Sequence, residues 1–146
     1  MTERVEEAFP ILCEDACRRR EKKTVDIVRR LGIVTPDRVH LKGFPVDNPA
    51  TIFNASLLLI EEEEVELYAR IVLGYFTYSS AIVSIKMPIS DVYRPGPMYH
   101  YPAELQIYPD NRFDIWGAED PRAYRIGGQE CITYCGRTVD YFCLLY

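Results

Sequence analysis

Two neighbouring carboxylates, Glu119 and Asp120, stand in the run Gly117-Ala118-Glu119-Asp120-Pro121-Arg122. Such an acid does general acid or base work when its surroundings set its pKa near the working pH. Pro121 disfavours helix at Asp120 and predicts an extended backbone there. On an extended backbone the two adjacent carboxylates face different ways. Arg122 lies two residues beyond Asp120, on the same face of a strand, where it can hold that carboxylate. The ordinary alternative is a surface turn with a local ion pair worth about 0–1 kcal/mol. Trp116 stands just ahead as a flat apolar surface. Two more polar residues break apolar strand patterns: Asn54 in Ile52-Phe53-Asn54-Ala55-Ser56-Leu57 and Arg70 in Leu67-Tyr68-Ala69-Arg70-Ile71-Val72. Each is either an edge or outward position, or an inward group that needs partners, because buried amides and guanidinium groups are expensive alone.

Metal chemistry finds little support. Of the five cysteines, Cys13 and Cys17 lie one helical turn apart, but neither His40 nor His100 has a spacing that completes a zinc site, and no CxxC occurs. Reduced, partly buried thiols and no metal are expected. The chain has 17 basic and 22 acidic residues, a formal net charge of −5. That balance argues against a general nucleic-acid binder, which needs clustered Lys and Arg. The exception, Arg18 to Arg20 with Lys22 and Lys23, is offset by acids among its neighbours. No apolar stretch is long enough to span a membrane. Met1 to Glu7 is charged with no apolar run behind it, so no secretory signal is read and the cytoplasm is the expected compartment.

The elements that must position these residues are mainly β. Before them, Pro10 to Leu31 reads as a helix: Pro10 suits its first turn, Val25, Val28 and Leu31 recur at helical spacing, and Gly32 and Pro36 end it. The stripe is narrow, so this helix needs a partner surface. Residues 1–42 are read as a helical extension and 43–146 as β-structure. Thr51–Ile60 and Val65–Leu73 form a hairpin around the Glu61–Glu64 tip, and Tyr75–Met87 supplies a third strand. Ser90 to Asp110, with four prolines, reads as loop. Ala123–Ile126, Glu130–Tyr134 and Thr138–Leu145 form a second run of strands, with Gly127-Gly128 as its first turn. The two antiparallel units repeat at 66 residues, from Asn54 to Asp120. A barrel, a sandwich or a propeller would satisfy that pattern.

The run Asp114-Ile115-Trp116-Gly117-Ala118-Glu119-Asp120-Pro121-Arg122, followed by Ile132-Thr133-Tyr134, resembles glycoside hydrolase family 130, the β-mannoside phosphorylases and related β-mannosidases. Asn48-Pro49, Phe53-Asn54-Ala55 and Leu67-Tyr68-Ala69-Arg70 look like the first blade of that family. The resemblance runs from about Val46 to Tyr146. It implies a five-bladed β-propeller, of which this chain holds about two blades behind an N-terminal helix. It implies inverting cleavage of a β-mannoside, with inorganic phosphate as co-substrate or water in its place, and no cofactor. By match Asp120 is the proton donor, passing its proton through a sugar hydroxyl in the phosphorylases. Asn54 and Arg70 line the sugar pocket, Glu119 and Trp116 belong to the same site, and Arg137 lies where a phosphate-binding arginine is expected.

A working acid needs a raised pKa, so Arg122 is expected to hold Glu119 or backbone rather than Asp120. A whole propeller of such repeats needs about 300 residues. Three accounts follow: a gene fragment, assembly with a second polypeptide or another copy, or a reduced relative. The competing class is a non-catalytic β-domain that binds carbohydrate or protein through Tyr93, Tyr99 and Tyr101.

Overall fold

Alternation of apolar and polar side chains builds most of this protein. The computed structural model describes residues 13–21, 23–74, 79–94, 96, 98–138 and 143–145, and divides into two compact units, Met1–Arg30 and Leu31–Tyr146. In the first, α1 covers residues 13–19 and carries Arg18–Glu14 and Arg19–Asp15 ion pairs one turn apart. The expected helix from Pro10 to Leu31 is thus cut short: residues 23–31 are not helical, and 10–12 and 22 lie outside the described residues. Val25, Ile27 and Val28 are exposed. Most helical stability in proteins comes from burying an apolar face, and a narrow stripe beside a charged middle does not supply it.

Among the described residues the second unit holds eight strands in one mixed sheet system: β1 Val39–Leu41, β2 Thr51–Leu59, β3 Glu64–Val72, β4 Ser80–Pro88, β5 Tyr101–Ile107, β6 Gly117–Ile126, β7 Gln129–Arg137 and β8 Cys143–Leu145. Strands β2 to β5 form an antiparallel meander. β1 lies parallel to β5 at its outer edge. β6, β7 and β8 form a second meander, joined to the first by one parallel bridge, Ser80 with Gly117. The Glu61–Glu64 tip closes the β2–β3 hairpin as expected, with Ile60 N–H donating to the Glu64 carbonyl. Gly127 and Gly128, at φ 58° and 82°, make the β6–β7 turn, the backbone that a two-residue hairpin turn requires.

The stretch read as loop between Ser90 and Asp110 contains a short helix, α2 Ile89–Tyr93, and strand β5. Tyr101, Ala103 and Leu105 alternate inward along β5, and this period of two outweighs the single Pro102. Pro102 pairs with His40 of β1 as an exposed residue. The expected strand start at Tyr75 falls outside the described residues, as do 139–142 of the last strand.

The two faces of β3 explain the rest. Val65, Ala69 and Ile71 pack with Val83, Ile85 and Met87 of β4, Val39 of β1 and Ala103 of β5 in the main core. Tyr68 and Arg70 point to the other face, where Tyr68 meets Ile82 and Ala118 in a smaller core reached by Ala123, Ile132 and Tyr134. Strict alternation therefore delivers Arg70 to the side on which β6 lies. Among the described residues no helix is long and apolar enough to cross a membrane.

Candidate active site

Four side chains from three strands meet at this face. β2 is bulged between Phe53 and Ser56, and β6 between Glu119 and Arg122. In each bulge a non-glycine residue takes a left-handed backbone: Asn54 and Asp120 both have φ 49°. Such residues cost local strain and are uncommon outside Asn, Asp and glycine. The extended backbone expected at Asp120 is therefore not found. Because the bulge turns the chain, Glu119 and Asp120 do not face apart; both reach Arg70.

The geometry is specific. Asn54 Nδ2 donates to Asp120 Oδ1 at 2.7 Å. Arg70 Nη1 donates to the same oxygen at 3.2 Å, and Arg70 Nη2 donates to Glu119 Oε1 at 2.6 Å. Arg70 is the buried member, its side chain 7% exposed, whereas Asp120 is 42% exposed. Beneath the guanidinium lies Phe53, its cross-strand partner, with the ring centre 4.8 Å from Cζ. That contact adds a cation–π attraction and limits where the guanidinium can swing. Asp120 is thus anchored through Oδ1, and Oδ2 makes no hydrogen bond among the described residues.

The amide of Asn54 is the largest influence on Asp120 and holds its carboxyl below the ordinary 3.8. Burial opposes this, and the Arg70 hydrogen bond and the charges of Arg70 and Arg122 add to it. The resting carboxylate is ionised at neutral pH. Arg122 does not hydrogen-bond Asp120; its Nη1 donates to the Pro121 carbonyl at 2.8 Å, the backbone role expected of it.

Other residues stand as follows. Asn54 is exposed, not buried, yet its amide is partnered. Trp116 is exposed, and its backbone N–H donates to the Arg137 carbonyl at 2.9 Å. Arg137 pairs with Gly117 at the start of β6, three residues from Asp120. Tyr101 cannot serve an exposed aromatic surface. It is buried, its hydroxyl donates to Asp91 Oδ2 at 3.0 Å, and burial pushes its pKa up to about 12. Tyr93 and Tyr99 are exposed. Cys13 and Cys17 are exposed free thiols, while Cys135 is disulfide-bonded, against the expectation of reduced thiols.

Sequence reading missed three supports. Phe53 under Arg70 is the first. Ser56 is the second: its Oγ accepts from the Ala123 N–H at 2.9 Å and ties β2 to β6 just past both bulges. Asp114 is the third, fully buried, accepting from the Tyr134 hydroxyl at 3.0 Å and the Asn111 amide at 2.9 Å. It pins the loop that leads into β6. A buried carboxylate in the same run as Trp116 leaves no periodic signal, because its partners are twenty residues away in Tyr134 and three away in Asn111.

Residues 18–145 match the family model of glycoside hydrolase family 130, described as beta-1,4-mannooligosaccharide phosphorylase. No curated protein and no solved structure is significantly similar to the chain. The members of that family act on mannosides with no cofactor, inorganic phosphate being a co-substrate of the phosphorylases. With the match extending over nearly the whole chain, this protein belongs to glycoside hydrolase family 130.

Proposed function

We propose that this chain carries the acid and part of the sugar pocket of an inverting β-mannoside phosphorylase or mannosidase. Asp120 is its proton donor, and its two meanders are the first two blades of a five-bladed propeller. The observation that carries this reading is the bulge on β6, which presents Asp120 to an amide and a guanidinium from the preceding meander.

In this reading Asn54 and Arg70 hold Oδ1 while Oδ2 faces the saccharide. The acid is ionised at rest, so it must gain a proton when substrate binds. Covering a half-exposed carboxylate with a sugar removes water and raises its pKa, the direction in which burial already pulls. Protonated Asp120 then donates to a sugar hydroxyl, which passes its own proton to the glycosidic oxygen. Phosphate or water attacks the anomeric carbon from the opposite face as the bond to the leaving sugar breaks. A β-mannoside and phosphate give α-mannosyl phosphate and a shortened saccharide.

Arg137 is assigned to phosphate, which a guanidinium grips with two parallel hydrogen bonds. Glu119, fixed by Arg70, orients the acid, and Trp116 offers its ring to a pyranose. Asn54 is exposed and Asp120 nearly half exposed, so further sheet must close the other side of the sugar. That sheet comes from more of the same polypeptide or from a second chain.

The test is titration of the 146-residue chain with β-1,4-mannobiose, followed by NMR. The reading expects saturable shifts at Asn54, Arg70 and Asp120, retained in Asp120→Asn, with little or no phosphorolysis by the chain alone. With the remaining blades supplied, α-mannosyl phosphate appears, and Asp120→Asn abolishes it. Equal turnover by that variant removes Asp120 from the role, and shifts confined to residues away from Asn54 and Arg70 move the pocket elsewhere.

A further inference from the structure

The chain has two histidines, 60 residues apart, and the fold sets them face to face. His40 Nε2 lies 2.8 Å from His100 Nδ1, with ring centres 5.0 Å apart and planes tilted by 32°. On the far side of His40, Nδ1 lies 2.9 Å from Asp47 Oδ2. We infer that His40 and His100 form a binding site for one divalent transition-metal ion, with Asp47 orienting His40 from behind.

The protonation pattern follows from the partners. An ionised carboxylate only accepts, so His40 Nδ1 carries the hydrogen and Nε2 is left as a lone pair. The hydrogen in the 2.8 Å contact then belongs to His100 Nδ1. When His100 takes its other neutral tautomer, that hydrogen moves to Nε2 and leaves two lone pairs facing each other across the contact, because the ring centres lie nearly in line with the two nitrogens; turning both rings out of line aims them at one ion. A zinc ion about 2.0–2.1 Å from both nitrogens, at their present separation, subtends an angle of about 86°. Parting the rings to about 3.3 Å gives the tetrahedral angle preferred by zinc. Imidazoles suit zinc, copper and nickel, and exclude the hard cations that want oxygen ligands. A carboxylate on the other ring nitrogen is the usual support of a ligating histidine.

Each part is held in place by backbone contacts. His40 lies within β1, paired with Pro102 of β5. The Asp47 carbonyl accepts from Leu41 N–H at 2.7 Å, and Asn48 Nδ2 reaches the Val39 carbonyl at 2.8 Å. Buried Arg38 donates through Nε to the Tyr99 carbonyl at 2.7 Å, next to His100. The rings are open to solvent, so an ion has a path in. The protein supplies two ligands here, and water completes the shell. Among the described residues no group of three or more His, Cys, Asp or Glu side chains is placed to hold a metal ion.

The experiment is zinc titration of the full chain, with Cys13→Ser and Cys17→Ser removing the exposed thiols as competitors, followed through the ¹⁵N resonances of the histidine rings. With only two histidines, the ring signals assign themselves by comparison with one variant. The expected result is joint movement of His40 Nε2 and His100 Nδ1, saturating at one zinc per chain. His100→Ala, at an exposed position, weakens zinc at least tenfold, as does His40→Ala, and Asp47→Asn weakens it about tenfold. Resonances that stay in place through millimolar zinc, movement of one ring alone, or undiminished affinity in His100→Ala would overturn the assignment.

Discussion

Asp120 owes its state to Asn54 first and to Arg70 second. Its carboxyl is held below the ordinary 3.8, so its contribution to stability is present above the unfolded pKa and is lost as the pH falls through the folded one. Removing the amide in Asn54→Leu raises the Asp120 pKa toward 3.8. Carbon-detected titration of the carboxyl should show that rise. The stability difference between the parent and this variant should be constant above about pH 5 and shrink below pH 4. A shift in the opposite direction would mean that the amide does not act on the charged form. Arg70 is the anchor that both acids share, and its burial makes it the least replaceable of the four. The types of these residues were readable from the chain, since an amide and a guanidinium interrupt apolar runs there, though an outward position would also satisfy the pattern and Asn54 is in fact exposed. Their mutual distances were not, because 66 and 50 positions of sequence separate Asp120 from Asn54 and Arg70.

At the scale of the strand, the two bulges do the positioning. Asn54 and Asp120 occupy matching places on the first strands of successive meanders, each left-handed, each beside a register shift. A regular strand would send Glu119 and Asp120 to opposite faces, and only one of them would meet Arg70. The start of β6 is held by Gly117, at φ 147°, where a Cβ would collide with Ser80 Oγ. Gly117→Ala is therefore expected to lower stability by about 1–3 kcal/mol in urea unfolding. Ser80→Ala in the same chain should recover part of that loss, because it removes the atom that is struck. Strictly additive effects would show that the cost is backbone strain alone. The strand pattern was legible wherever the period was two; β5 was obscured by four nearby prolines, and the helix beyond residue 19 was overpredicted from a narrow stripe whose Val25, Ile27 and Val28 are exposed.

At the scale of the molecule, β2 is the exposed edge of the first meander, pairing only with β3 among the described residues and showing Phe53, Leu57 and Leu59 to solvent. Natural sheets protect such edges with charge, proline or a covering element. This strand has no charged residue and no proline. Self-association or pairing with further sheet is the expected consequence, and the sedimentation coefficient should rise with concentration across the micromolar range. A monomer at every concentration would argue that the edge is tolerated as it is. The same edge carries Asn54, so whatever covers it also closes the sugar site.

The linear chain determined the mainly β character, the two repeats, the acidic run and the membership of a mannoside-active family, because these depend on residue type and local period. Tertiary structure alone decided that Glu119 and Asp120 converge on one arginine, that Tyr101 is buried, and that the two histidines touch. Those outcomes rest on bulges, register and strand order, which sum weak interactions over distant segments. No local window of sequence contains both partners of such a contact.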